Sequence, residues 1–273
     1  MSGQADADHL PDAIHRIRRA TRHLRALARL LRPSIGGRAF RGWNDALRDQ
    51  ARRLADARDQ EVVRGAIERI VEHEGLDRER YATILAHSTA QAAERSRKTH
   101  EDGAAADVAG RIAAMEPSMA ATIPETLDAA SFAAGAGDSY RRVRRQFDRA
   151  RKRGDPASMH EWRKRVKIVR AHVECIPFDH GTHGKALASR LKELTDVLGS
   201  HHDLELVQDW AARELAQTAT AQALLHELVG RCFMQQQPLL KSAIELGEIV
   251  CDDRPTDYAA RVHACLLDSM KGA

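Results

Sequence analysis

Ten residues repeat one basic pattern: His15, Arg18, Arg19, Arg22 and Arg25, then His160, Arg163, Lys164, Lys167 and Arg170, 145 positions later. On a helix advancing ~100° per residue, each set falls within an arc of ~120°. Ile14, Ile17, Leu24, Leu27 and Leu31 take the other side of the first copy, and Trp162, Val166, Val169, Val173 and Ile176 that of the second. Each segment is therefore expected to pack on its apolar face and to present four permanent cations and an imidazole on the other. Guanidinium forks can grip two phosphate oxygens, and Lys164 and Lys167 add compact point charges. A duplicated stripe of this kind suits a long polyanion better than a small substrate. Among cations an imidazole resists protonation, and a bound polyanion opposes that resistance, so binding is expected to take up protons and tighten below neutrality.

Charge is segregated along the 273 residues. Residues 14–58 hold 13 Lys/Arg against 3 Asp/Glu and residues 139–170 hold the same, so the net +4 hides a remainder of −16. Such segregation costs self-repulsion unless an anion or an acidic face balances it. With 43% hydrophobic and 30% charged residues the chain is expected to fold, and 4% aromatics amid abundant Ala, Leu and Arg favour an all-helical fold. No stretch approaches the ~20 apolar residues of a membrane span, and Met1 to Leu10 lacks the features of a secretory leader, so the expected location is the cytoplasm. Cys175, Cys232, Cys251 and Cys265 show no Cys-x-x-Cys spacing and are expected as free thiols.

Helical periodicity runs from Leu10 to Arg32, closed by Pro33 and Gly36-Gly37, and resumes over 39–57. Further helices are expected from Asp59 to Gly75 and over 77–101. Residues 103–137 are alanine-rich and interrupted by Pro117, Pro124, Gly135 and Gly137, which reads as one or two short helices followed by a join. A very basic helix over 139–153, a break at Gly154-Asp155-Pro156, and helices near 157–176, 184–199, 203–217, 220–247 and 256–270 complete the chain. Leu54 to Val63 aligns with Leu198 to Val207 at an offset of 144, which sets Arg48 against Lys192 and Arg97 against Lys241. Asp59 and Asp203 stand at expected helix starts, where an N-cap role or orientation of a stripe arginine is open to them. The expected organisation is a first helical repeat over 1–103, a connection over 104–138 and a second repeat over 139–273, packed about a pseudo-two-fold axis.

These residues resemble the CHAD family, histidine-bearing α-helical domains that bind inorganic polyphosphate. The resemblance rests on the paired His-x-x-Arg helices, on Leu198-Gly199 followed by His202-Asp203, on the weaker copy at Leu54 to Asp59, and on the lead-in Tyr140-Arg141-Arg142. It covers nearly the whole chain. It implies an all-α fold of two antiparallel helical bundles, with basic helices lining a groove or pore for the polymer. It also implies the ten stripe residues as ligands, Arg19 and Lys164 matching less distinctively, with Arg29, Arg48, Arg97, Arg141, Arg145, Lys192 and Lys241 as secondary contacts. The copies differ: His23 stands where the family's first motif commonly doubles its arginine, and Arg29 extends the first stripe where Glu174 occupies the matching place in the second. The Glu-x-Glu-x-Lys signature of fused triphosphate-processing domains is absent, the nearest approach being Glu72-His73-Glu74 without the lysine.

Two other classes compete. His201-His202-Asp203 is similar to the metal doublet of all-helical HD phosphohydrolases, but Arg58-Asp59 stands at the matching place of the first copy and arginine does not ligate metals. His180 and His183 are expected in a polar loop, and no metal, cofactor or catalytic residue is expected. A pI near 9.0 allows nucleic-acid binding, which the scarcity of aromatics for base stacking disfavours. The expected function is therefore noncatalytic binding of polyphosphate, with targeting to polyphosphate granules.

Overall fold

The structure is a computed structural model that describes residues 10–176, 182–215 and 221–271; His180 and the first nine residues lie outside them. The described chain is all-α, with no strand. Its helices are α1 (Leu10–Arg53), α2 (Ala55–His73), α3 (Ala82–Glu101), α4 (Ala104–Ala113), α5 (Glu116–Ala120), α6 (Ala129–Arg153), α7 (Pro156–Cys175), α8 (Thr182–Leu215), α9 (Gln222–Val250) and α10 (Pro255–Lys271). No described helix is long and apolar enough to cross a membrane. The four cysteines are free, and Cys232 and Cys251 are buried.

The chain forms two compact units. Among the described residues, the first comprises 10–18, 50–110, 200–215 and 221–240, and the second comprises 19–49, 111–176, 182–199 and 241–271. In the first unit, Val63, Ile67 and Ile70 of α2, Tyr81 at the N-cap of α3, and Ile84 and Leu85 of α3 share a core with Leu204, Val207 and Trp210 of α8 and Leu225 and Leu228 of α9. These positions recur every three or four residues, so each helix contributes one apolar stripe.

In the second unit α1 bends at Gly36, whose φ of 79° is accessible to glycine without strain. Pro33, Ser34 and Ile35 remain helical, so the expected break at Pro33 falls three residues later. Near the bend, Ala28 and Leu31 from one leg of α1 pack with Trp43 from the other.

Helix α6 is the hub of this unit. Asp128 caps it, accepting from the backbone N–H groups of Ala130 and Ser131 at 3.1 Å each, and Gly154 ends it at φ 62°. Asp155 then caps α7 by accepting from Ser158 N–H at 2.7 Å, with Pro156 at the first helical position. The tight turn folds α7 back on α6, where Phe147 and Trp162 meet with centroids 5.1 Å apart. On α10, Tyr258 stacks on Tyr140 at 4.6 Å, and the Tyr140 hydroxyl donates to Val250 O at 2.6 Å.

Three sequence expectations need correction. Gly135 and Gly137 do not interrupt the chain before 139, because α6 already starts at Ala129. They are contact points: a Cβ on Gly135 would lie 2.4 Å from Leu30 O, and one on Gly137 would lie 3.0 Å from Ala259 Cβ. Asp203 caps nothing, since α8 runs unbroken through Gly199 and Ser200. Leu191, Leu194 and Leu198 are buried before that point and Leu204 and Val207 after it, and this burial outweighs the ~1 kcal/mol helix penalty of a glycine. Asp59 likewise lies inside α2, whose N-cap is Leu54.

Candidate polyanion-binding site

The first stripe lies on α1 and is divided between the units, His15 and Arg18 in the first and Arg19, Arg22, Arg25 and Arg29 in the second. His15 and Arg19 are exposed, whereas Arg18, Arg22, Arg25 and Arg29 are half-buried. Arg18 donates from Nη1 to Ala51 O at 3.0 Å. Burial holds its pKa below the usual arginine value, opposed by Asp59 and reinforced by Arg58. Asp59 thus attracts a stripe arginine from inside α2 while pairing with Arg58.

In the second unit α1 meets α7. Ala26 packs with Ile168 and Ala171, His172 Nε2–H donates to Ala26 O at 2.9 Å, and His23 Nε2 bonds Glu174 Oε2 at 2.9 Å. Rising numbers on α7 meet falling numbers on α1, so the helices run antiparallel. His172 is fully buried, and burial lowers its pKa from 6.5 to about 4, so its ring is neutral at pH 7. This histidine sits within the expected apolar side of the second stripe, and its type alone gave no hint of a packing role.

Arginines converge where α1, α6 and α7 approach. Burial lowers the pKa of Arg29 from 12.5 to about 9, and Arg25, Arg165, Arg142 and Arg32, in that order, push it further. Burial also lowers the Arg142 pKa, with Arg32 and Arg165 adding to the effect, Asp138 opposing it and Arg145 reinforcing it. Arg29 donates from Nη1 to Arg25 O at 2.9 Å, Arg25 Nε donates to Asn44 Oδ1 at 3.2 Å, and the Phe40 ring lies under both Arg29 and Arg32 at 5.6 and 5.5 Å. Grouping this many guanidiniums is electrostatically costly in the absence of an anion.

The stripe reading missed Arg32, Arg142 and Arg165. Arg32 follows Arg29 by three residues and was within reach of helical spacing. Arg165 falls off the repeated register, and Arg142 reaches the cluster only because Gly135 lets α6 press against the backbone of α1.

The second stripe lies on α7 and is partly neutralised. Lys164 donates to Glu161 at 2.7 Å, with Arg165 on the other oxygen of Glu161 at 3.3 Å. Arg170 reaches Glu174 at 2.9 Å and Asp196 at 3.4 Å. His160, Arg163 and Lys167 are half-buried. Of the secondary candidates, Arg145 and Arg29 act in the cluster. The others have carboxylate neighbours: Arg48 contacts Asp45 and Asp49, Arg97 contacts Glu94 and Glu101, Arg141 contacts Asp138, Lys192 contacts Asp196, and Lys241 approaches Glu245 at 3.9 Å.

His201 and His202 both turn Nδ1 toward Glu205, at 3.4 and 2.8 Å. That carboxylate has a pKa of about 2: burial raises it, and the two imidazoles more than reverse the effect. No described group of three or more His, Cys, Asp or Glu residues could hold a metal ion.

The chain is thus an all-α domain with a cluster of arginines where α1, α6 and α7 approach. The sequence matches the CHAD domain over residues 3–212, and the chain belongs to that family. No curated protein matches it.

Proposed function

We propose that this protein binds inorganic polyphosphate, holding the chain in a basic groove lined by the His/Arg/Lys helices, without catalytic activity of its own, in the cytoplasm and at polyphosphate granules. The observation that carries this reading is the half-buried Arg29, whose pKa is lowered to about 9 first by burial and then by Arg25, Arg165, Arg142 and Arg32 around it. Such a site is relieved by a ligand with many closely spaced negative charges, which polyphosphate supplies at about one per phosphate. Membership of the CHAD family supports the same ligand. In the second unit the polymer would run along Arg19, Arg22, Arg25 and Arg29 of α1 and His160, Arg163, Lys164, Lys167 and Arg170 of α7, with Arg32, Arg142, Arg145 and Arg165 joining from the cluster; His15 and Arg18 are proposed as ligands within the first unit. The antiparallel pairing of α1 with α7 is what an internal duplication packed about a pseudo-two-fold axis would produce.

Titration with polyphosphates of graded length tests the reading against Arg29→Met, which keeps the apolar stem and removes the charge. The expected result is about tenfold weaker binding, because one half-buried charge-assisted contact is lost, together with a thermal stability equal to or above that of the parent. Unchanged affinity, or preferential binding of duplex DNA, would overturn it.

A further inference from the structure

Glu174 is out of place by three criteria. It lies in the last turn of α7, where the helix dipole disfavours an anion. It occupies the position that matches Arg29 in the repeat, so a cation in one copy corresponds to a carboxylate in the other. It also spends both oxygens on candidate ligand helices, Oε2 on His23 of α1 at 2.9 Å and Oε1 on Arg170 of α7 at 2.9 Å. Its side chain is 35% exposed, so solvent-facing ion pairs of this kind contribute about 1 kcal/mol or less to stability. Folding alone is a weak reason to keep it there.

Its neighbour Asp196 differs. Asp196 approaches Arg170 at 3.4 Å while its other oxygen accepts from Lys192 at 3.0 Å, so much of its charge is balanced on its own helix. Glu174 also has a cation of its own helix in Arg170, four residues back, but it adds His23 from α1, and both partners lie on the helices that carry the stripes.

We infer that Glu174 is a built-in competitor for the anion site, a carboxylate that holds Arg170 and His23 until a polyanion of sufficient charge density displaces it. This rests on the polyphosphate reading and adds a determinant of specificity to it. A single phosphate exchanges one anion for another at Arg170 and gains little. A polymer already anchored at neighbouring cations delivers its next phosphate at high effective concentration and wins the exchange. The carboxylate would thus favour long polyphosphate over sparse or short anions.

The test compares the full-length protein with Glu174→Gln and Glu174→Ala in titrations with long-chain polyphosphate and with orthophosphate at several salt concentrations, with helicity monitored by far-ultraviolet circular dichroism. Removing one competing charge should tighten polyphosphate binding roughly five- to tenfold at ~0.1 M salt and steepen the log–log salt slope by about one. Orthophosphate should gain by at least as large a factor, so that discrimination falls. Variants that keep their helicity but bind polyphosphate with the parental affinity and slope, or more weakly, would overturn the role of Glu174 and leave the polyphosphate reading standing. Failure of the unaltered protein to bind polyphosphate would remove both.

Discussion

Two sets of arginines, one in each unit, are held in opposite ways. In the first unit, Arg64 is wrapped by Glu61 and Glu68, Arg97 by Glu94 and Glu101, and Arg231 by Glu74 and Glu227. These pairs raise the arginine pKa values, chiefly through side-chain hydrogen bonds. In the second unit burial and neighbouring arginines lower those of Arg29 and Arg142. The same residue type is a solvated surface group in one place and an electrostatically strained one in the other. Abundance of arginine therefore says little about binding, whereas arginine driven against arginine points to an anion that relieves the strain.

The largest expected effect is on that contrast itself. Charge reversal at Arg25 and Arg165 together should weaken polyphosphate binding by at least about a hundredfold, since two attractions become repulsions, with helicity retained. Affinity measurements on the purified variant would check this. Gly135→Val should destabilise the fold by about 3 kcal/mol in chemical denaturation, because its Cβ would meet the α1 backbone at 2.4 Å. The same variant should bind more weakly, since the α1–α6 crossing sets Arg142 beside Arg29.

A pH effect of similar size is expected at His172. Its folded pKa of about 4 lies below the unfolded value near 6.5, so the unfolded chain takes up the proton first. The stability is fully present above about 6.5 and is lost as pH falls toward 4, by roughly 3 kcal/mol in total. In His172→Gln, whose amide can still donate to Ala26 O, that part of the acid-side slope should vanish from denaturation curves taken between those pH values. The smallest effect is expected in the first unit, where Arg97→Ala should leave polyphosphate affinity within about twofold and the denaturation midpoint close to that of the parent, because Arg97 is exposed.

The sequence disclosed the stripes, the helical class and the turn at Gly154-Asp155-Pro156, because spacing and caps are local signals. It misjudged Gly135, Gly137 and Gly199, since a glycine that ends a helix and one that admits a neighbouring backbone look alike until the neighbour is known. Of the roles open to Asp59 and Asp203, the cap falls away because both lie inside continuous helices. Arg142 and Arg165 were invisible to periodicity because their partnership with Arg29 is made by tertiary packing. Glu174 was legible only as a departure from the repeat; its hold on His23 and Arg170 required the antiparallel pairing of α1 with α7.

The most direct measurement is the salt dependence of long-chain polyphosphate binding by the unaltered protein and by the Arg25→Glu/Arg165→Glu variant. The arginine cluster predicts an affinity that falls by several decades between low and moderate salt in the parent, and a slope shallower by about two in the variant. Parallel slopes in the two proteins would contradict the account, because they would mean that the polymer binds somewhere other than the cluster around Arg29.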